Sequence, residues 1–448
     1  MPMNNLVFFL LAHLDTHGIE YCVLGSARDK LNDTERDVDL VVRAKDVDAV
    51  GRLARTFCEK HAGRLIRAIG TEGRGAYFVL AWLEAPGPVT LIRLDVHTGL
   101  GFRGRMLRSA DEILGTRVVR RGAGDPSNTF YAASPGMEFV RTLLKGVDRR
   151  ELTPRAEAHL SEVWKEGPEA VHAEAARAWS PELADLVAKA ARTGDFTEVR
   201  ARLPELACRA GVLSLFRRFR ESLARGARLA GRLIRPTGFT VAFLGIDGSG
   251  KSSVVRSLVA GLEPAFPRTR YHHFKPNILG MAPRKAPELV MHPTGVAPGI
   301  SLLGAARLAY YLIDYSIGYA VKVWPQRLRS ALVIFDRYFY DLPVDPIRLR
   351  ARIPMTLARW CSRFVPKPDL VIVVDTPPEL ARSRKAAVPP IEEAARQRAA
   401  YLELARALPN ACILDGSKQV PELAREAGWL VLERMSVRTT KRLGWGRR

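Results

Sequence analysis

A chain of 448 residues has room for about three domains of ordinary size. With 47% hydrophobic and 26% charged residues, its composition is that of a globular protein with several cores. The net charge of +22 points either to polyanionic partners (nucleotides, nucleic acid, anionic lipid) or to a solvated arginine-rich surface.

The first segment, residues 1–120, alternates helix and strand. Its opening helix, Leu6–Leu14, lacks a basic leader, and His13 and Asp15 interrupt its apolar run, so it is read as part of the fold and not as a signal peptide. Strand-like runs follow at Tyr21–Leu24, Val38–Val42, Tyr77–Leu83 and Val89–Val96, with a helical period between Asp46 and His61. Three groups of residues carry chemistry here: Gly25-Ser26 on a turn, Asp37-Val38-Asp39 on a strand, and Asp95 near the end of another. Asp37 and Asp39 are two apart, so a strand points both the same way. Carboxylates converging like this can hold two Mg²⁺ ions for in-line attack on a nucleoside triphosphate, while Gly25 and Ser26 cradle its phosphates. The plainer reading is a charged turn with surface acids paired to Arg36 and Arg43. Over about residues 5–105 the arrangement resembles the small nucleotidyltransferase fold. Its acceptor stays open between a protein, a sugar phosphate and a small molecule.

The second segment, residues 121–235, reads as almost wholly helical and links its neighbours. Thr153-Pro154 and Ser180-Pro181 each set a hydroxyl at the N-cap and proline at the first helical position. Arg209–Arg235 has Glu221 as its only acid and leucines at helical spacing. It is a basic amphipathic helix, either packed on a neighbour or facing an anionic surface. The five cysteines (Cys22, Cys58, Cys208, Cys361, Cys412) have no metal-ligand spacing. Reduced, mostly buried thiols of a cytoplasmic protein are expected.

The third segment, residues 236–448, opens after Pro236-Thr237-Gly238. Strands are expected at Phe239–Leu244, Arg268–His273, Leu332–Asp336, Leu370–Asp375 and Cys412–Leu414, with helices between them: a parallel sheet. Ser301–Trp324 is apolar but carries Arg307, Asp314 and Lys322, so an amphipathic helix is expected there and not a membrane span. Gly245-Ile246-Asp247-Gly248-Ser249-Gly250-Lys251-Ser252 satisfies the phosphate-loop pattern between a strand and a helix that includes Ser253. Its backbone N–H groups and the helix dipole suit an anion. Lys251 can reach the β- and γ-phosphates of ATP, and Ser252 can ligate Mg²⁺. Asp336 ends a buried strand as a second Mg²⁺-holding group, and Arg337 follows it. Arg382, Arg384 and Lys385, with Arg396 and Arg398 further on, suit a lid of cations closing over the transferring phosphoryl group.

Together these residues resemble thymidylate kinase over roughly 239–430: the loop with Asp247, Asp336-Arg337-Tyr338, Pro368-Asp369 with Pro377-Pro378, and the lid ending in Arg398 to Tyr401. The resemblance implies that Asp247 contacts the acceptor's sugar hydroxyl, that Arg384 or Lys385 supplies the catalytic cation, and that Arg382 lies against the adenine. It also implies an arginine clamp for the acceptor monophosphate, and here Tyr315 stands at that position. A basic-acidic-Pro-Gly segment of the family is replaced by Phe274-Lys275-Pro276-Asn277, where Lys275 is the candidate phosphate contact. Tyr310, Tyr311, Tyr315 and Tyr319 either line an acceptor pocket or pack the helix, and Tyr340, Asp341 and Asp345 lie near that site.

The expected fold is therefore α/β: a small nucleotidyltransferase-like domain, a helical linker, and a P-loop NTPase domain. The expected activity is ATP- and Mg²⁺-dependent phosphorylation of a nucleoside monophosphate, dTMP by resemblance. The alternatives are a kinase for a nucleoside or sugar, a nucleotide-binding regulatory protein, and a nucleic-acid-associated module, which no aromatic-basic motif supports. Contact with an anionic surface and the oligomeric state, a homodimer included, stay open.

Overall fold

The computed structural model describes residues 5–25, 35–70, 75–83, 89–103, 105–122, 128–211, 236–266, 268–278, 302–345, 354–385 and 389–445. Ser26 and residues 212–235, most of the expected basic helix, lie outside them. The chain divides into two compact units. One comprises Met1–Trp82, Thr90–Arg228 and Thr439–Arg448; the other comprises Leu83–Val89 and Leu229–Arg438.

The first unit holds β1 (Tyr21–Leu24), β2 (Glu35–Val42), β3 (Arg64–Gly70), β4 (Ala76–Trp82), β5 (Thr90–His97), β6 (Gly99–Phe102), β7 (Arg105–Ser109), β8 (Val118–Arg121) and β9 (Thr129–Ala132). Seven form a mixed sheet in the order β3-β4-β5-β2-β1-β9-β8, and β6 pairs with β7. Alternation along β2 explains its burial: Val38, Leu40 and Val42 join a core with the helices Leu6–Thr16 and Val47–Lys60. Val41 faces the other way, onto Ala110, Ile113 and Leu114. Asp37 and Asp39 share that second direction.

Helices Pro135–Arg149, Pro154–Glu166, Pro168–Ala178, Pro181–Thr193 and Leu203–Ala210 bury a separate apolar cluster that includes Phe139, Leu160, Val187 and Phe196. Thr153 and Ser180 cap their helices as expected, accepting from Ala156 N at 3.3 Å and Leu183 N at 3.4 Å. One difference stands at the start of this region. Thr129–Ala132, expected to be helical, is a strand, because it completes the sheet between β1 and β8.

The second unit contains β10 (Phe239–Leu244), β11 (Thr269–His273), β12 (Leu332–Asp336), β13 (Leu370–Asp375) and β14 (Ala411–Asp415) in the order β11-β12-β10-β13-β14. Every pairing is parallel. β10 and β12 are buried throughout, as expected for strands covered on both faces. This is the sheet of a P-loop NTPase, and the phosphate-loop sequence leaves its central strand. The helix Leu302–Gly318 continues through a π-turn at Tyr319–Val323 into Trp324–Leu328. Among the described residues no helix is long and apolar enough to cross a membrane. Cys22, Cys58 and Cys361 are buried, Cys412 is half-buried and Cys208 is exposed, and none is in a disulfide.

Candidate active site

The loop after β10 is built for an anion. Gly248 has φ +82°, and a β-carbon there would meet Ala381 O at 2.3 Å, so only glycine allows the loop to lie against the helix Pro378–Arg384. Lys251 opens the helix Lys251–Leu262 and is buried. Its Nζ donates to Gly245 O at 2.9 Å, Ile246 O at 2.7 Å and Ser249 Oγ at 3.1 Å, inside the curl of the loop. Burial and the neighbouring Arg337 charge lower this ammonium to about 7. Carbonyl and hydroxyl oxygens thus hold a cation that has been largely desolvated, and phosphate oxygens would be stronger partners for it.

Ser252 Oγ donates to Asp336 Oδ2 at 2.6 Å, and Tyr271 OH donates to the same oxygen at 2.8 Å. A hydroxyl and a carboxylate in contact at the edge of the phosphate loop supply hard oxygen donors, so these residues fit Mg²⁺. Ser253 sits one residue further on, its backbone N–H donating to Gly250 O at 3.0 Å.

Arg337 is buried with φ +78°, and it bridges two carboxylates. One nitrogen donates to Asp341 Oδ2 at 2.8 Å and the other pairs with Asp247. Burial opposes its charge, but Asp341 and Asp247 outweigh that and hold it firmly protonated. The structure therefore brings Asp247, Arg337 and Asp341 together beside Lys251. Asp341 Oδ1 is buried and accepts no hydrogen bond from a described residue. Asp345 and Tyr340 are also buried nearby in the chain.

The expected lid divides. Arg384 is exposed, donates to Gly416 O at 2.8 Å, and has Nη1 3.9 Å from where a β-carbon on Gly250 would stand. Arg382 and Lys385 are exposed. Arg398 is committed to Asp375 at the end of β13, with Nη2 to Oδ2 at 2.9 Å, and Arg396 to Glu393.

On the expected acceptor side, Tyr315 is fully buried and its hydroxyl donates to Phe274 O. Its ring packs edge-on against Phe274, Tyr338 and Phe339. Tyr319 is buried too. Lys275 is buried against Tyr310, 4.2 Å from the ring centroid and hydrogen-bonded to its hydroxyl, with Asp314 Oδ2 at 3.8 Å. Asp314 also accepts from the backbone N–H groups of Asn277 (3.0 Å) and Ile278 (2.7 Å).

In the first unit, parallel pairing sets Asp39 directly opposite Asp95. Asp39 pairs with Arg141 of the helix Pro135–Arg149, and Lys145 Nζ is 3.5 Å away. Burial pushes the Asp39 carboxyl up, but His97 and the charges of Arg141 and Lys145 prevail and hold it well below the carboxylate range. Burial raises Asp95, and the adjacent Asp39 charge adds to the rise. Asp37 turns to Arg93, 3.6 Å away, with 63% of its side chain exposed. Gly25 has φ +102°, and its N–H already donates to Glu138 Oε2 at 2.7 Å.

Sequence reasoning missed Tyr271, Arg141 and Asp314, which come from other elements and carry no local signal. It also missed His97, two residues past Asp95 and therefore on the same face of β5.

No protein-family model matches the chain. Over 212 residues it is 28% identical to the thymidylate kinase of Xanthomonas campestris pv. campestris, a stretch covering 46% of this chain and 88% of that protein. Similarity of the same kind joins it to the thymidylate kinases of Xanthomonas oryzae pv. oryzae (28% over 215 residues; 46% and 88%) and Xylella fastidiosa (26% over 212 residues; 46% and 92%). The chain is a distant relative of thymidylate kinases over a little under half its length.

Proposed function

We propose that the kinase domain of residues 236–448, of which all but Thr439–Arg448 belongs to the second unit, transfers the γ-phosphoryl group of ATP to a small acceptor. On its similarity to thymidylate kinases, the acceptor is dTMP and the product dTDP. The observation that carries this reading is the buried Lys251 ammonium held inside the glycine loop, next to the Ser252–Asp336 contact of 2.6 Å.

In this reading the loop N–H groups of Gly245, Asp247, Gly248, Ser249 and Gly250 bind phosphate oxygens. Lys251 exchanges its carbonyl partners for the β- and γ-oxygens. Ser252 and Asp336 would hold Mg²⁺, which would neutralise phosphate charge. Arg384 moves from Gly416 O onto the transferring group, where preorganised charge lowers the barrier most. Arg382 lies against the adenine. Asp247 accepts from the acceptor's sugar hydroxyl, and Arg337 is oriented for the acceptor by Asp247 and Asp341.

A second reading, phosphorylation of a nucleoside or a sugar, has its own support. Tyr315 is locked in the core and Lys275 is paired with Asp314, so both groups expected at the acceptor phosphate are already engaged. ADP release from Mg-ATP, measured with dTMP, thymidine and a panel of sugars, separates the readings. Formation of dTDP supports the first. Turnover with a neutral acceptor alone supports the second. Tight ATP binding with no turnover would instead make the unit regulatory. In Lys251→Ala, kcat/KM should fall by about 10²–10³-fold; unchanged turnover would sink the kinase assignment.

For the first unit we propose a nucleotidyltransferase-like module over residues 1–120, with 121–235 as a linker whose helices begin at Pro135, after the sheet strand Thr129–Ala132. Of the three expected acids, Asp39 and Asp95 are its candidate metal-holding pair while Asp37 faces Arg93, and Gly25-Ser26 is its candidate phosphate turn.

A further inference from the structure

We propose that Asp39, Asp95 and His97 form a binding site for a single divalent transition-metal ion of the Mn²⁺ or Zn²⁺ class, in which His97 is a ligand and Asp37 is not. The proposal needs only the donor geometry and stands whether or not the unit transfers a nucleotidyl group.

The donors converge because of the sheet. β2 and β5 run parallel with Asp39 opposite Asp95, and the two-residue period of β5 adds His97 beside them. One atom from each residue can be chosen so that all three lie within 4.8 Å of one another. His97 Nε2 stands 3.7 Å from Asp39 Oδ1 and 3.7 Å from Asp95 Oδ1. That is too far for a good hydrogen bond. It is close to the spacing of donors around one ion, since atoms each about 2.1 Å from a shared ion stand roughly 3–3.5 Å apart.

Two further observations suit a cation at this position. Asp95 Oδ1 is buried as an atom yet accepts no hydrogen bond from any described residue. An oxygen in that position is costly unless a positive partner completes it. Asp39 has its two oxygens divided in use: Oδ2 takes Arg141, whose side chain is only 7% exposed, and Lys145, while Oδ1 is turned to His97. Arg141 thus fixes the carboxylate from behind, as outer partners orient metal ligands. Asp37 is directed to Arg93 and lies outside the cluster.

The donor set decides the class of ion. Mg²⁺ strongly prefers an octahedron of oxygens and retains its waters. A neutral imidazole with two carboxylates suits borderline ions. His97 and Asp95 are about two-fifths exposed, at 37% and 40% of their side chains, which leaves an open side for water or a substrate oxygen.

The test uses the full chain, stripped with EDTA and free of nucleotide, titrated with Mn²⁺, Zn²⁺ and Mg²⁺ by calorimetry. Bound Mn²⁺ is then examined by pulsed electron paramagnetic resonance for coupling to ¹⁴N. One saturable Mn²⁺ or Zn²⁺ ion per chain is expected, bound more tightly than Mg²⁺ and with imidazole nitrogen coupling. The Ser252–Asp336 pair offers only oxygen, so Ser252→Ala should leave this signal unchanged. His97→Gln should remove the coupling and weaken binding by about 10–100-fold, with an unaltered circular dichroism spectrum in EDTA. Absence of nitrogen coupling in the unsubstituted protein overturns the proposal. So does coupling that survives in His97→Gln, or equal affinity for Mg²⁺.

Discussion

Gly248 shows how closely single atoms are accounted for around the phosphate loop. Its α-carbon faces the carbonyl of Ala381, and the loop's positive φ adds a second reason for glycine. An added methyl must push back backbone, not a flexible side chain. Gly248→Ala should therefore cost about 1–3 kcal/mol in the loop conformation that receives phosphate. On the proposed function ATP binds that conformation, so its Kd should rise by about 10–100-fold, measured by calorimetry, while the circular dichroism spectrum is retained. An unchanged Kd would mean that the loop binds ATP in a different shape. Lys251 presents the complementary case, a cation hydrogen-bonded only to carbonyl and hydroxyl oxygens, whose burial is partly offset by the charges of Asp247, Asp341 and Asp336.

At the scale of elements, the helix Pro135–Arg149 supplies both Glu138 and Arg141, and each is tied to a different part of the first unit. Glu138 accepts from Gly25 N, and His159 of the next helix lies 3.1 Å from its other oxygen. Hydrogen bonding to Glu138 raises the His159 imidazole above its usual range, against the opposing effect of burial. Glu138 is pushed up by burial, but His159, Arg141 and the Gly25 N–H hold it low. The sign follows: a histidine raised on folding stabilises fully below its unfolded value near 6.5, and that share is lost as pH rises through the folded value. The melting temperature of the first unit should therefore fall as pH rises above about 6.5, and His159→Gln should flatten that slope. An identical slope in the variant would mean that another group titrates there.

Legibility in the sequence follows the same division between local and distant causes. In the second unit β10, β12 and β13 were readable because they are buried and carry unbroken apolar runs such as Leu332–Phe335. β3, with Arg64 and Arg67, and β8, with Arg120 and Arg121, were not, because their arginines break the apolar pattern. The phosphate loop was legible since one continuous stretch makes it. Tyr271 on Asp336 and Arg141 on Asp39 depend on partners 65 and 102 residues away, and only the folded sheet brings them near. Tyr315 illustrates the limit in the other direction. Its position in the chain suggested an acceptor residue, while its burial and its bond to Phe274 O make it part of the packing.

For the whole molecule, the question is whether two sets of acids serve one activity or two. Replacing Asp37 and Asp39 together would be the direct choice, but the structure argues against Asp39. Its loss would take from Arg141, almost fully buried, the carboxylate it is bonded to, and breaking a buried ion pair costs about 3–5 kcal/mol. Asp95 is the better target. Burial already favours its neutral form, so asparagine removes the charge with little strain on its surroundings. Asp37 is mostly exposed and equally tolerant. In Asp37→Asn with Asp95→Asn, the first unit should keep its melting temperature within a few degrees and lose its divalent-ion binding. Acceptor-dependent ADP release by the second unit should stay within about twofold of the unsubstituted protein, because Lys251, Asp336 and Arg384 are untouched. A large fall in ADP release with both folds intact would mean that the state of the first unit sets the activity of the second, and the chain would then be one regulated enzyme instead of two linked ones.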